Sequence, residues 1–589
     1  MEKKWLIRNT SRDINSLAKK SGVSEVIAKI LVNRGFHNEI EIKKFMRASI
    51  EDLYDPFLMK DMEKATEIIK LAIENKKKIV VYGDYDADGV TSTVIMYKAL
   101  KKCGARVEYY VPDREIEGYG INSDRIRKLW GEDFSVILTC DNGIAATEQV
   151  KLAKELGMTV IITDHHELSF EEDSSGARTF KIPPADAVIN PKQVECNYPF
   201  KQLCGAGIAF KFAQALYIRH GINEEAAREF IEIAGIGTIC DVVDLIDENR
   251  IIAKNALGML TNTKNIGLKC LKDILSISDK EIKCYHVGFQ IGPCINATGR
   301  LESAAISVEL LICEEESKAV ELAKTLYNLN KKRQDMTTEN VEQVIELIQN
   351  STFKKDKVLV IYKDTIHESI AGIVAGRVRE TFNVPTIILT NGKDNPKGSA
   401  RSIDEYNLFE ELIKCEELLL KFGGHPMAAG LSIKAENIEK LRQKLNFICK
   451  LTDEDIMPKV RIDEKMALNK INYKIIEELE LLEPYGKGNP SPLLAEKNIP
   501  VLKINILGKN ANTIKIKCLM PGTNKTIDGI FFNRVDEFME MLKESYGEDY
   551  MSYFESPRGM KLDLIFSPQV NEYNGYKSIQ LKIIEFKHS

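Results

Sequence analysis

Three short β-branched runs in this chain each lead straight into a carboxylate. Ile79–Tyr82 runs into GDYDADGVTS, Ser135–Thr139 into CDNG, and Thr159–Thr163 into Asp164–His165–His166. Helical stretches lie between them, Val90–Leu100 and a second near Ala145–Leu156, and Ala187–Asn190 continues the rhythm as a further strand. Strands that alternate with helices pair in parallel and build a doubly wound sheet. The carboxyl ends of such strands face one crevice, where ligands sit. The pattern therefore predicts that Asp84, Asp86, Asp88, Asp141, His165 and His166 converge from distant stretches on one place. Asp241, in GTICDVVDL after a small-residue helix-to-loop stretch, is a further candidate.

Carboxylates that share a cleft repel one another, and burial raises their pKa values unless cations compensate. Asp and His donors without a thiolate suit a hard-to-borderline divalent ion, Mn²⁺ or Mg²⁺. Two such ions joined by a shared carboxylate form the usual clamp for in-line attack on a phosphodiester, and Asp88 or Asp141 is the natural bridge. DxDxDG also opens an EF-hand loop, but counting Asp84 as position 1 puts Ile95 where the bidentate Glu belongs, so that calcium site fails. Asp and Gly after a strand can be plain turn or N-cap chemistry. Against that stands the whole constellation, with two adjacent His in a chain that has only eight.

The rest of the chain bounds the setting. At 589 residues it is too long for one core, so several domains are expected. The opening stretch reads as short helices. From Glu314 to Asn350 runs a segment free of Gly and Pro, with Leu322, Leu326, Leu329, Met336, Val344 and Ile348 at roughly helical spacing, which predicts a connector helix. A second α/β block follows (KVLVIY, a helix near Ile370–Thr381, PTIILT) and ends in FGGHPMAAG. From about Val460 short alternating strands (VLKINILG, NTIKIKCL, TIDGIFF, KLDLIF, SIQLKIIEF) suggest a five-stranded barrel of the OB type. No apolar run approaches a membrane span, the start lacks a signal-peptide core, and twelve cysteines include no CxxC pair, so a reducing cytoplasm is expected. A net charge of −5 confines any nucleic-acid contact to a local basic groove or to bound cations.

GDYDADGVTS, LTCDNGI, ITDHHE and GTICDVVDL resemble the first four motifs of the DHH phosphoesterase superfamily. INPKQ, GPCINATGRLESA, HESIAGIVAGRV, GSARS and GGHPMAAG extend the likeness from about Lys77 to the C-terminus and make it similar to the RecJ branch, single-strand-specific 5′→3′ DNA exonucleases of repair and recombination. The resemblance implies residues 1–55 as a helical segment, 56–313 as a DHH domain, 314–350 as the connector, 351–450 as a DHH-associated domain and 451–589 as an OB domain that closes a ring around the strand. It implies Asp86, Asp88, Asp141, His165 and Asp241 as ligands of two metal ions, with Asp84 and His166 in the same motifs and His166 beside the scissile phosphate. Arg114 and Tyr119 match positions used near the 5′ end, and Arg300 one at the scissile region. In the second α/β domain, Ser399, Arg401 and Ser402, with Gly423, Gly424 and His425, are candidate phosphate contacts, since small residues let backbone amides approach closely. Each of these has a tight turn as its structural alternative. Phe531, Phe532, Tyr573 and Tyr576 are candidate stackers that equally fill a barrel, and Lys487 in PYGKGNPSP touches phosphate or merely belongs to a turn.

The expected chemistry is metal-dependent hydrolysis of single-stranded DNA to nucleoside 5′-monophosphates, without ATP, since no Walker A motif is present. The rivals are a DHH phosphoesterase for very short oligonucleotides or cyclic dinucleotides, a pyrophosphatase, and a catalytically silent replication scaffold. The long tail argues against the first two and the filled ligand positions against the third. A RecQ-type helicase and a single-strand-binding protein are the partners the resemblance implies, for a monomeric protein.

Overall fold

The computed structural model describes residues 3–8, 13–118, 120–172, 178–508, 510–573 and 575–589. Its contacts divide into two compact units, one of residues 54–243 and 255–458, the other of residues 4–53, 244–254 and 459–589.

The first unit begins with a wholly parallel five-stranded sheet. β1 (Lys78–Tyr82), β2 (Arg106–Tyr110), β3 (Phe134–Thr139), β4 (Thr159–Thr163) and β5 (Ala187–Ile189) lie in the order β2-β1-β3-β4-β5. The β-branched runs are buried because helices cover both faces, which is why they read as unbroken apolar stretches. β2 had no such signal: its RVEYY sequence is half-exposed at the sheet edge. α1 (Ala87–Lys102) is buried almost throughout and packs against α2 (Gly205–Arg219) and α3 (Ile231–Cys240).

α4 (Gly292–Leu301) leads towards the connector α5 (Glu316–Gln349). α5 buries Ala319, Ala323, Leu326 and Leu329 in its first half and Val344 and Ile348 in its second, packing against α4 and then against α6 (Glu368–Phe382). The second sheet comprises β6 (Leu359–Tyr362), β7 (Thr386–Thr390), β8 (Lys397–Arg401), β9 (Leu419–His425) and β10 (Ala428–Ile433), in the order β9-β10-β8-β7-β6. Only β6 and β7 are parallel; the others pair antiparallel.

In the second unit β11 (Leu494–Leu507), β12 (Thr513–Leu519), β13 (Thr526–Phe532), β14 (Lys561–Tyr573) and β15 (Tyr576–His588) form a sheet that closes on itself through β11 and β14. Ile514, Ile516, Leu562, Leu564 and Phe566 fill this barrel, and Ile27, Ile30, Leu31 and Phe45 of the N-terminal helices belong to the same apolar core. Phe531 is 1% exposed and packs on Phe538 and Phe586, so it fills the barrel and cannot stack on a base. Phe532 and Tyr576 are exposed, whereas the Tyr573 side chain lies outside the described residues.

PYGKGNP is an interlocking turn. Lys487 O accepts from Leu245 N–H (2.8 Å), and Asn489 Nδ2 donates to Leu482 O and Pro484 O. Gly488 stands at φ +73°, where a Cβ would come within 2.9 Å of Asp244. Lys487 itself points to Asp244 (3.8 Å). No helix among the described residues is long and apolar enough to cross a membrane.

Arg250 is the largest buried side chain of the unit, 1% exposed. Its guanidinium donates to Phe45 O (2.8 Å), Leu482 O (3.0 Å) and Glu483 O (2.8 Å), and lies 3.8 Å over the Phe45 ring. Arg250→Ala removes these three donations to buried carbonyls, of which Leu482 O keeps Asn489 Nδ2, at a cost of about 3 kcal/mol or more. A thermal melt of the variant should show an earlier transition than the native chain.

Candidate metal centre

The end of β1 turns directly into α1, and Asp86 is the N-cap: its side chain accepts from Asp88 N–H (2.9 Å) and Gly89 N–H (3.0 Å). Asp88, one residue into the helix, accepts from Gly205 N–H (2.6 Å) and Ala206 N–H (2.8 Å) at the start of α2. Helix starts carry unpaired N–H groups and partial positive charge, so each carboxylate gains a natural donor. These approaches demand glycine. A Cβ on Gly205 would lie 2.6 Å from Asp141 Cβ, and one on Gly237 2.7 Å from Asp88 Oδ1. Asp84 is buried, and its Oδ1 has no hydrogen-bond partner among the described residues.

Asp141 follows β3 in the left-handed region, φ +62°, which asparagine and aspartate tolerate better than other side chains. His165 follows β4 and sits at the centre: its Nε2 is 3.1 Å from Asp141 Oδ1, 3.7 Å from Asp88 Oδ2 and 3.8 Å from Asp241 Oδ2. Asp241 is the C-cap of α3. His166 lies beside this group, with Nδ1 2.7 Å from Asp164 Oδ1 and 4.0 Å from Asp141 Oδ1. In the sequence Asp164 is distinguished only as a neighbour of the two histidines. In the fold it accepts from the N–H groups of Ile144, His165 and His166, so it orients His166 rather than pointing into the cleft.

The electrostatics follow from burial. Desolvation and then Asp86 push Asp88 up to about 6, and desolvation with Asp88 and Asp86 pushes Asp241 up to about 8. Desolvation followed by neighbouring charges holds Asp84 and Asp141 well above the usual range. Burial and the neighbouring His166 take His165 down to about 3. For His166 burial opposes the charge, but the hydrogen bond to Asp164 and its charge win and raise it to about 9.

Donor atoms of three groups lie within 4.8 Å of one another: Asp141 with His165 and His166, Asp88 with His165 and Asp241, and Asp84 with Asp86 and Asp141. A cluster of buried oxygen donors crowded by like charge, with one unpartnered oxygen on Asp84, fits divalent cations. The thiols of Cys140, Cys204 and Cys240 lie close by and burial pushes all three up, but none belongs to these three donor groups.

Arg300, on α4, donates from Nη1 to Ser369 O (2.5 Å) and is lowered to about 10 by burial and by Arg114 and Arg333. A Cβ on the preceding Gly299 would meet Tyr85 O at 2.2 Å, so α4 runs against the β1–α1 turn. Arg114 lies 5.1 Å over the Tyr85 ring and lines a cavity of about 370 Å³ with Ser399 and Gly423. Arg401 follows on β8, packed on Gly372 of α6 and lowered by burial and by Arg114. Ser402 turns inward and donates to Tyr406 O (2.7 Å), so it is no phosphate contact. Gly424 stands at φ +153°, where a Cβ would meet Ala428 O at 2.4 Å; the hairpin requires this glycine, and His425 beside it is exposed. Tyr119 lies outside the described residues.

Fold and cleft together define a DHH-type phosphoesterase. Residues 78–238 match the DHH family N-terminal domain, residues 355–451 the DHHA1 domain and residues 462–585 the RecJ OB domain. The chain is 38% identical over 585 residues to the single-stranded-DNA-specific exonuclease RecJ of Bacillus subtilis, covering 98% of this chain and 70% of that one. It is 30% identical to the Dickeya dadantii protein of the same name, covering 95% of each. The structure of Thermus thermophilus RecJ in complex with Mn²⁺ superposes with a TM-score of 0.81 at 24% identity, over 99% of this chain and 79% of that one. The chain belongs to the RecJ family.

Cation binding must remove the protons that the raised carboxylates hold, so affinity for Mn²⁺ should climb between pH 6 and pH 8. The sign for the metal-free protein is opposite. Asp241 titrates higher folded than unfolded, so its contribution to stability is complete at low pH and is lost as pH rises through about 8. Calorimetric titration with Mn²⁺ and thermal melts in EDTA across this window check both trends.

Proposed function

We propose that this protein is a metal-dependent exonuclease that hydrolyses single-stranded DNA from a free 5′ end and releases nucleoside 5′-monophosphates, with two divalent ions, Mn²⁺ or Mg²⁺, in the Asp–His cleft. The observation that carries the reading is the set of buried carboxylates around His165 Nε2, raised by burial and by each other. The relatives' description as single-stranded-DNA-specific exonucleases supports the substrate class.

In this reading Asp84, Asp86, Asp88, Asp141, His165 and Asp241 would hold the ions, and Asp141 is common to two of the donor groups. When bound, the ions ionise a water near neutral pH and neutralise charge that develops on the phosphate. The residues do the remaining work. Asp164 fixes the ring of His166, which is charged at neutral pH and sets a cation beside the scissile phosphate. Arg300, held by Ser369 O, brings a second cation from α4. Arg114, Ser399, Arg401 and the exposed His425 beside Gly424 hold the strand, where a guanidinium offers a bidentate fork to phosphate. A RecQ-type helicase and a single-strand-binding protein would open and present the substrate in the cytoplasm.

Asp141→Ala should lower turnover by roughly a thousandfold or more while strand binding persists. The assay uses single strands labelled at the 5′ or the 3′ end, with duplex and dinucleotide controls and with EDTA. Mononucleotide release from the 5′ end, abolished by EDTA, is expected; cleavage by the purified variant at the native rate, or preference for the dinucleotide, counts against the reading.

A further inference from the structure

The cavity beneath Arg114 contains cations that the metal centre does not use. Along β8, β10 and β9, side chains two residues apart share a face, and strand register sets them in rows. Ser399 stands opposite Gly430, and Gly430 opposite Gly423. In the next row Lys397 stands opposite Ser432, and Ser432 opposite Lys421. Both rows line the same cavity of about 370 Å³. Packing does not demand glycine in the first row: a Cβ on Gly423 would meet no atom within 4 Å, and one on Gly430 only Gly398 O at 4.0 Å. Glycine there leaves a bare strip of backbone as the cavity floor.

Lys421 is exposed and has no ion-pair partner among the described residues. Lys397 holds Glu368, the one acid of the cavity, with Nζ 2.8 and 3.1 Å from the two carboxylate oxygens. Both partners of this pair are nearly half exposed, so it contributes little and yields to a stronger anion. The two rows are about 6.7 Å apart, the order of the step between neighbouring phosphates of an extended single strand. We propose that Lys397 and Lys421, over Ser432 and the glycine strip, bind one further phosphate of the strand, next in line from Ser399, and that Glu368 is the internal anion this phosphate displaces. The inference rests on the reading that the substrate is a nucleic-acid strand.

The test measures fluorescence anisotropy of a labelled single strand on the full-length protein in EDTA, over a range of salt, so that no cleavage is needed. Lys421→Ala should weaken binding roughly tenfold and flatten the log–log salt slope by about 0.7, as loss of one single-strand phosphate contact requires. Lys421→Arg should restore both, and Glu368→Gln should tighten binding. A second arm measures inhibition of Mn²⁺-supported cleavage by deoxyadenosine monophosphate. Unchanged affinity and slope in Lys421→Ala overturn the site, and unchanged affinity in Glu368→Gln overturns the displaced anion. Weaker inhibition by the nucleotide with unchanged strand affinity assigns the cavity to released product and overturns the strand phosphate. Native protein that binds the strand but fails to cleave it would sink the nuclease reading and leave this site standing.

Discussion

Like charge at close quarters is the constraint to which the rest of the first unit answers. Asp84, Asp88, Asp141 and Asp241 are brought together in a cleft that removes most of their water, and each is pushed towards its neutral form. Helix starts offset part of this: the α2 amides hold Asp88 and the α1 amides hold Asp86. The remainder calls for cations, and the local scaffold keeps the donors in place without them. Gly205 lets α2 come against Asp141, and Gly237 lets α3 come against α1 and α2, so the geometry is set by backbone packing rather than by long flexible side chains.

His165 and His166 illustrate how neighbouring imidazoles can be driven apart. One is buried beside a positive neighbour and stays neutral, suited to donate a lone pair; the other keeps its proton because Asp164 accepts from it. The division of labour arises from burial, which keeps His165 neutral, and from a single carboxylate at His166, itself lowered because several donors, the histidine among them, converge on it.

Much of the cleft was legible in the sequence because parallel strands are short, buried on both faces and therefore unbroken in pattern, and their ends are marked by acids. β1, β3 and β4 fall within a residue of the runs that announced them. The edge strand β2 was not legible, since an edge is half wet and its residues alternate weakly. Asp164 was legible as a position but not in its role, because nothing in DHH says which side chain turns back on the loop. The close-contact glycines were invisible for the same reason: Gly205 looks like any residue of LCGAG until the third dimension places Asp141 against it. In the second unit the alternating strands announced the barrel, yet Phe531 and Phe532 are indistinguishable by type, and only pleat parity sends one inward and the other to solvent.

The pairing of Lys4–Ile7 with Lys459–Ile462 in parallel register, and the shared core of Ile27, Leu31 and Phe45 with the barrel, make the second unit discontinuous in the chain. A polypeptide emerging N-terminus first exposes these helices long before their partners exist. The first unit, whose strands and crossovers are mostly local, can close meanwhile; the opening segment has to wait, apolar face uncovered, until the final quarter has been synthesised. Assembly order is thus written into the topology, and the vulnerable interval falls on the segment made earliest.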